Sequence, residues 1–252
     1  MVRFINRDKK FFLFIVAGGY LIFSLSLPSC RESSNINKGG SVDSAVKIGG
    51  ESFFLEVTSS SELMQDSCIV ILFIKENVST LDREKLKEEY INKLNGKVRF
   101  AILEGDWGNF FEINKDKNEK ENVVKEFCEF FRGLKGDKGI LVGVWLGKTT
   151  LLPFKYNRLI KCMDGIVLVT PYISDIDISD VTDLIVPMLI FGNEGDLNTE
   201  VWAENLCKMS KGLCEYRFFV SPEENSESLI VLETAKQLLF DWVSTISNIS
   251  LN

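Results

Sequence analysis

Six strand-like runs, most of them apolar throughout and separated by stretches with helical periodicity, constrain this chain more than any other feature. They read CIVILFI, KVRFAILEG, GILVGVWL, MDGIVLVTP, VPMLIFG and CEYRFFV. A strand with one wet face alternates polar and apolar residues, whereas a strand that is apolar throughout must be covered on both faces. Helices packed on either side of a parallel sheet provide that cover. Between the runs, STLDREKLKEEYINKLN sets Leu81, Leu86, Tyr90 and Leu94 at helical spacing behind an N-cap at Ser79 or Thr80. EKENVVKEFCEFFRGL gathers Val123, Val124, Phe127, Phe130 and Phe131 on one face. NTEVWAENLCKMSKG stops at Gly212, and ESLIVLETAKQLLFDWVSTIS closes the chain as a long helix. The pattern predicts a doubly wound α/β domain over 51–252, opening on the strand SFFLEV, with a mostly parallel sheet and helices on both faces.

The segment before that domain reads as a targeting signal. Arg3, Arg7, Lys9 and Lys10 precede the uncharged apolar run Phe11–Leu27, and Ser29 stands directly before Cys30. A basic start, an apolar middle and a small residue at the cut make a secretory signal peptide over 1–29. The ending LPSC resembles the lipobox of bacterial lipoproteins, which implies that Cys30 is lipidated and becomes the first residue of the mature chain. The alternative is an uncleaved anchor helix, since 17 apolar residues approach the length that spans a bilayer. Residues 30–50, rich in Ser, Gly and Asn, read as a flexible tether. The resulting expectation is a membrane-anchored protein, periplasmic or on the cell surface. Without residues 1–29 the chain holds 25 basic and 35 acidic residues, a balance that repels phosphate backbones and argues against a nucleic-acid partner.

Cysteine and histidine usage narrows the chemistry. Besides Cys30 there are Cys68, Cys128, Cys162, Cys207 and Cys214, with no Cys-x-x-Cys spacing for a metal. Cys207 and Cys214 are candidates for a disulfide in an exported protein. Cys68 and Cys128 sit in apolar runs and read as small buried hydrophobes. The acidic stretch carrying Asp175, Asp177, Asp180 and Asp183 lacks the glycine and bidentate glutamate of an EF-hand, so it reads as a solvated loop. Nothing points to a metal or a cofactor. Histidine is absent from the chain, which removes the usual general base and proton shuttle.

Two active-site motifs compete for GILVGVWLGKTTLLP, Gly139–Pro153. A phosphate-binding loop needs Gly-x-x-x-x-Gly-Lys-Thr so that its N–H groups curl around a phosphate, but the first glycine position holds Val142. Gly143 leaves three intervening residues, one of them Trp145. A nucleophile elbow, Gly-x-Ser-x-Gly between a strand and a helix, matches the spacing of Gly143 and Gly147 and puts Trp145 where the nucleophile belongs.

Here the chain resembles the α/β-hydrolase superfamily. LLPFKYNRLIKCMDGIVLVTP follows the elbow as that family's helix and sixth strand do. VPMLIFGNEGD is similar to the strand and loop bearing the catalytic acid, with Asp196 at the matching position. EYRFFVSPEENSESLI takes the place of the last strand and the loop of the catalytic histidine, and CIVILFIKEN that of the strand leading to the oxyanion hole. VRFAILEGDWGNF stands for the next strand and its turn. What departs is the chemistry: an indole cannot form an acyl-enzyme, Lys75-Glu76-Asn77 replaces the oxyanion segment, and Asp196 has no imidazole to orient.

The resemblance therefore implies a degenerate, non-catalytic member that binds a small apolar ligand or an envelope protein. The competing readings are an esterase or peptidase with unconventional catalytic residues and a purely structural envelope protein. Trp145 either plugs the vacated site or lines a retained apolar pocket. Asp196 is either a vestige of the acid or an N-terminal cap for the helix that follows. Lys148 has no serine beside it in the elbow and reads as solvated.

Overall fold

The computed structural model describes residues 16–17, 20–21, 41–59, 69–77, 83–91, 98–111, 117–156, 158–171, 185–220 and 226–250. Among the described residues every strand, apart from a two-residue ladder between Val16–Ala17 and Tyr20–Leu21, belongs to one eight-stranded sheet. Its members are β1 (Ser41–Ile48), β2 (Glu51–Ser59), β3 (Ile69–Glu76), β4 (Val98–Gly105), β5 (Ile140–Leu146), β6 (Gly165–Val169), β7 (Met188–Asn193) and β8 (Cys214–Phe219). Across the sheet the order is β8-β7-β6-β5-β3-β4-β2-β1. Neighbours from β8 to β4 are parallel, and β2 is antiparallel to both β4 and β1.

The expected doubly wound architecture is what the chain adopts. β5 and β6 are buried at every position, as strands covered on both faces must be. Among the described residues six α-helices accompany the strands: α1 (Arg83–Ile91), α2 (Gly108–Phe111), α3 (Lys117–Lys135), α4 (Leu152–Lys155), α5 (Leu197–Met209) and, after the last strand, α6 (Glu233–Ser250). Two apolar layers result. One packs Val123, Phe127 and Phe131 of α3 and Trp202 and Leu206 of α5 on one face of the sheet. The other packs Leu86 and Tyr90 of α1 and Leu239, Trp242 and Ile246 of α6 on the opposite face. Among the described residues no helix is long and apolar enough to cross a membrane.

Two expectations change. The tether expected over 30–50 is ordered from Ser41, because Ser41–Ile48 forms β1 and pairs along its whole length with β2. The reason is visible in SVDSAVKI, where Ser44, Val46 and Ile48 turn inward while Asp43, Ala45 and Lys47 stay exposed. Cys128 is not a lone buried thiol: it bridges Cys162, tying α3 to the turn before β6. Cys207 and Cys214 do form the short-range disulfide considered for them, linking the last turn of α5 to the start of β8. Cys30 and Cys68 lie outside the described residues.

Candidate functional site

In open α/β sheets a ligand is held in the crevice beyond the carboxyl ends of the strands, where the strand order reverses direction. Here the order runs from β5 outward to β8 on one side and from β3 to β4, β2 and β1 on the other, so the reversal lies between β5 and β3. The segment singled out in the sequence ends at that point.

The sharp turn sits two residues later than expected. Gly143 and Trp145 are interior residues of β5; Trp145 is opposite Ile74 of β3 on one side and Leu168 of β6 on the other. The chain bends at Gly147, whose φ is +56°, a conformation that an L side chain takes only under strain. Gly147 opens a 3-10 turn, Gly147–Leu151, that runs directly into α4. Threonine hydroxyls hold this turn. The buried Thr149 Oγ1 accepts from the Leu146 N–H at 3.0 Å and lies 2.8 Å from the Leu146 carbonyl and 3.0 Å from the Ile74 carbonyl, which compete for its proton. Thr150 Oγ1 donates to the Gly147 carbonyl at 2.6 Å.

Gly143 is a glycine for a different reason. A β-carbon there would lie 2.5 Å from Met163 Sδ and 3.0 Å from Trp145 Nε1. The space beside β5 is thus filled by a methionine and an indole, and Trp145 is wholly buried within the core layer that includes Leu72, Leu141 and Met163. Its Nε1 has no hydrogen-bond partner among the described residues. Of the two possibilities raised for Trp145, packing is the one that this geometry supports.

The other expected positions surround the same edge. Asp196 caps α5: Oδ1 accepts from the Thr199 N–H at 3.2 Å and Oδ2 from the Thr199 hydroxyl at 2.6 Å. At the end of β3, Lys75 is buried with its Nζ 3.2 Å from Glu104 Oε1. The Lys75 carbonyl accepts from the Trp107 indole at 2.8 Å, and the Asn77 N–H donates to the Gly105 carbonyl at 3.0 Å. The stretch in the place of the oxyanion segment therefore spends polar groups on the sheet itself. Lys148 is exposed. Asp175, Asp177, Asp180 and Asp183 lie outside the described residues, among which no cluster of three or more metal-ligating side chains occurs.

Sequence reasoning missed Thr170. It follows β6 directly and is the one non-glycine residue with positive φ, +49°, among those described. A β-branched residue in that region is strained, and the more so before Pro171, since a residue preceding proline favours extended backbone. Its N–H donates to the Phe191 carbonyl and its hydroxyl to the Val169 carbonyl, each at 2.7 Å. The available signal was a Thr-Pro pair closing an apolar strand, which marks an end but not its handedness.

No protein-family model matches the chain, and no curated protein matches it. Solved structures do. Brefeldin A esterase, a bacterial homologue of human hormone-sensitive lipase, superposes with a TM-score of 0.57 at 12% identity, covering 91% of this chain and 81% of its own. A dienelactone hydrolase from Anabaena variabilis gives 0.59 at 8% identity, covering 83% and 99%. A putative carboxylesterase from Lactobacillus plantarum gives 0.57 at 9% identity, covering 83% and 98%. The chain has the α/β-hydrolase fold. Identities this low establish architecture alone. Within that fold, Gly147 occupies the bend after β5, and Asp196 stands in the loop after β7.

Proposed function

We propose that this is an exported, lipid-anchored protein of the α/β-hydrolase fold that works by binding rather than by hydrolysis. The observation that carries the reading is a double deficit: the chain has no histidine, and the residue at the bend after β5 is a glycine with no side chain to attack a carbonyl. Asp196 supports it, because both its carboxylate oxygens serve Thr199 at the helix start. Its partner is more naturally an envelope protein than a small apolar ligand, since Trp145, the expected pocket wall, is packed into the core. Export and lipidation rest on the basic and apolar N-terminal segment ending at Cys30. The disulfides Cys128–Cys162 and Cys207–Cys214 suit an oxidising compartment outside the cytoplasm.

A fluorophosphonate serine-hydrolase probe tests the binding reading, with no labelling of the purified protein expected and labelling overturning it. Fractionation of Cys30→Ala tests the anchor: the variant should leave the membrane pellet for the soluble fraction, and its retention there favours an uncleaved anchor.

One observation favours the rival reading, an active esterase or peptidase with unconventional residues. Thr170 holds a hydroxyl in a strained conformation at the carboxyl edge of the sheet, where strain collects at working sites. Probe labelling that disappears in Thr170→Ala would establish that alternative.

A further inference from the structure

Among the described residues β8 is the terminal strand of the sheet. Its inner edge is fixed by two hydrogen bonds: the Leu213 carbonyl accepts from the Met188 N–H at 2.8 Å, and the Phe219 carbonyl accepts from the Glu194 N–H at 2.9 Å. In an extended strand the N–H and C=O of one residue point to the same side, and the side alternates along the chain. The odd-numbered residues therefore face β7, and Cys214, Tyr216 and Phe218 present their N–H and C=O groups to the outer edge. A separate contact agrees with this assignment. The Tyr216 carbonyl accepts a 2.7 Å hydrogen bond from Nη1 of Arg217, whose Nη2 lies 3.3 Å from Glu215 Oε2.

We propose that the outer edge of β8 pairs antiparallel with β8 of a second copy of this chain, about a two-fold axis through Tyr216. Two independent constraints select that register. Centring on Tyr216 sets Tyr216 against its own copy and Cys214 against the copy's Phe218, so residues facing outward meet residues facing outward. A one-residue slip sets outward-facing groups against inward-facing ones and breaks the ladder. Centring on Cys214 or Phe218 leaves much of the strand without a counterpart. The second constraint is charge. The same register places Glu215 opposite the copy's Arg217, and Arg217 opposite the copy's Glu215. These are non-hydrogen-bonded positions, where opposed side chains lie closest and opposite charges attract. On pairing, the copy's Tyr216 N–H takes over the carbonyl that Arg217 now covers, and each guanidinium turns to the facing carboxylate.

Exposed edges are often blunted by a charged side chain, and Arg217 folded over Tyr216 has the form of such a guard. The experiment separates the two roles. Sedimentation velocity on the full chain in detergent should give a dimer. Arg217→Glu and Glu215→Arg each put like charges opposite one another twice and should weaken the dimer at least about tenfold. The double variant Glu215→Arg with Arg217→Glu should restore it, which a folding defect would not do. Tyr216→Cys should give an oxidative cross-link absent from the parent, because directly opposed hydrogen-bonded residues have Cα atoms about 5.5 Å apart, within disulfide reach. A monomeric parent, a charge swap that fails to restore the dimer, or Arg217→Glu associating more tightly than the parent would each overturn the proposal. The last of these would identify Arg217 as an edge guard.

Discussion

Trp145 is the residue whose meaning changes most between sequence and structure, and its energetics are directly measurable. Its side chain is 0% exposed and packs against Met163 across the space left by Gly143. Truncating a tryptophan so enclosed removes its buried surface and leaves a cavity, which together cost about 3–5 kcal/mol. With a urea dependence of about 2 kcal/mol per molar, Trp145→Ala should lower the unfolding midpoint by roughly 1.5–2.5 M. Trp145→Phe is the sharper probe. It deletes an indole N–H that has no partner among the described residues, and an orphaned buried donor costs about 1–3 kcal/mol, offsetting the lost volume. The net loss should be about 1 kcal/mol or less. Trp107 supplies the control, being equally buried but donating its N–H to the Lys75 carbonyl at 2.8 Å. Trp107→Phe should cost about 1–2 kcal/mol more than Trp145→Phe, because it gives up a hydrogen bond that is made, whereas Trp145→Phe removes a donor that has none among the described residues. Far-UV circular dichroism is the suitable readout, since indole fluorescence changes with the substitutions themselves. A Trp145→Ala loss below about 1 kcal/mol would mean that the side chain stands against open space. A reversed order of the two phenylalanine variants would refute the accounting of the orphaned donor.

Two further outcomes follow from the same geometry. Gly147→Ala, at φ +56°, should destabilise by more than about 1 kcal/mol in urea unfolding, because the new β-carbon opposes the turn held by Thr149. Burial holds the Tyr90 phenol well above its ordinary range, and its hydroxyl donates to the Ile230 carbonyl at 2.7 Å. That contribution is complete below the unfolded phenol's pKa of about 10 and is lost as pH rises from there toward the folded value. The unfolding midpoint of the parent should therefore fall more steeply above about pH 10 than that of Tyr90→Phe, and parallel slopes would remove Tyr90 from the account.

What the sequence made legible was whatever is decided locally. β5 and β6 are apolar at nearly every position, so their burial on both faces could be read directly. Asp196 three residues before Thr199 is a capping geometry set by neighbouring residues, and it is the one observed. The failures are positions decided by residues far along the chain. Two glycines four apart fit an elbow, but only the fold assigns Gly143 to Met163 and Gly147 to the bend. Cys128 and Cys162 stand 34 residues apart, and nothing near either one announces the other. β1 was hidden by composition: its Ser and Asp made a tether of residues whose inward set, Ser44, Val46 and Ile48, has the period of a strand.

The bend after β5 also bears on what such a fold can give up. A nucleophile at this place must hold a side chain in a backbone conformation that costs of order 1–3 kcal/mol, and the surrounding structure must supply that energy. Here the bend is a glycine, for which positive φ carries little penalty, and the buried Thr149 hydroxyl bonds the flanking backbone. The turn is relaxed and pinned rather than strained and poised. Beside it, Ile74 and Leu168 flank an indole in a continuous core, where a reacting carbonyl would need open space. A catalytic turn at this bend would call for the opposite of each feature, and this is what motivates the proposed binding reading. Thr170, strained one strand away, holds the hydroxyl that a search for hydrolytic chemistry should test first.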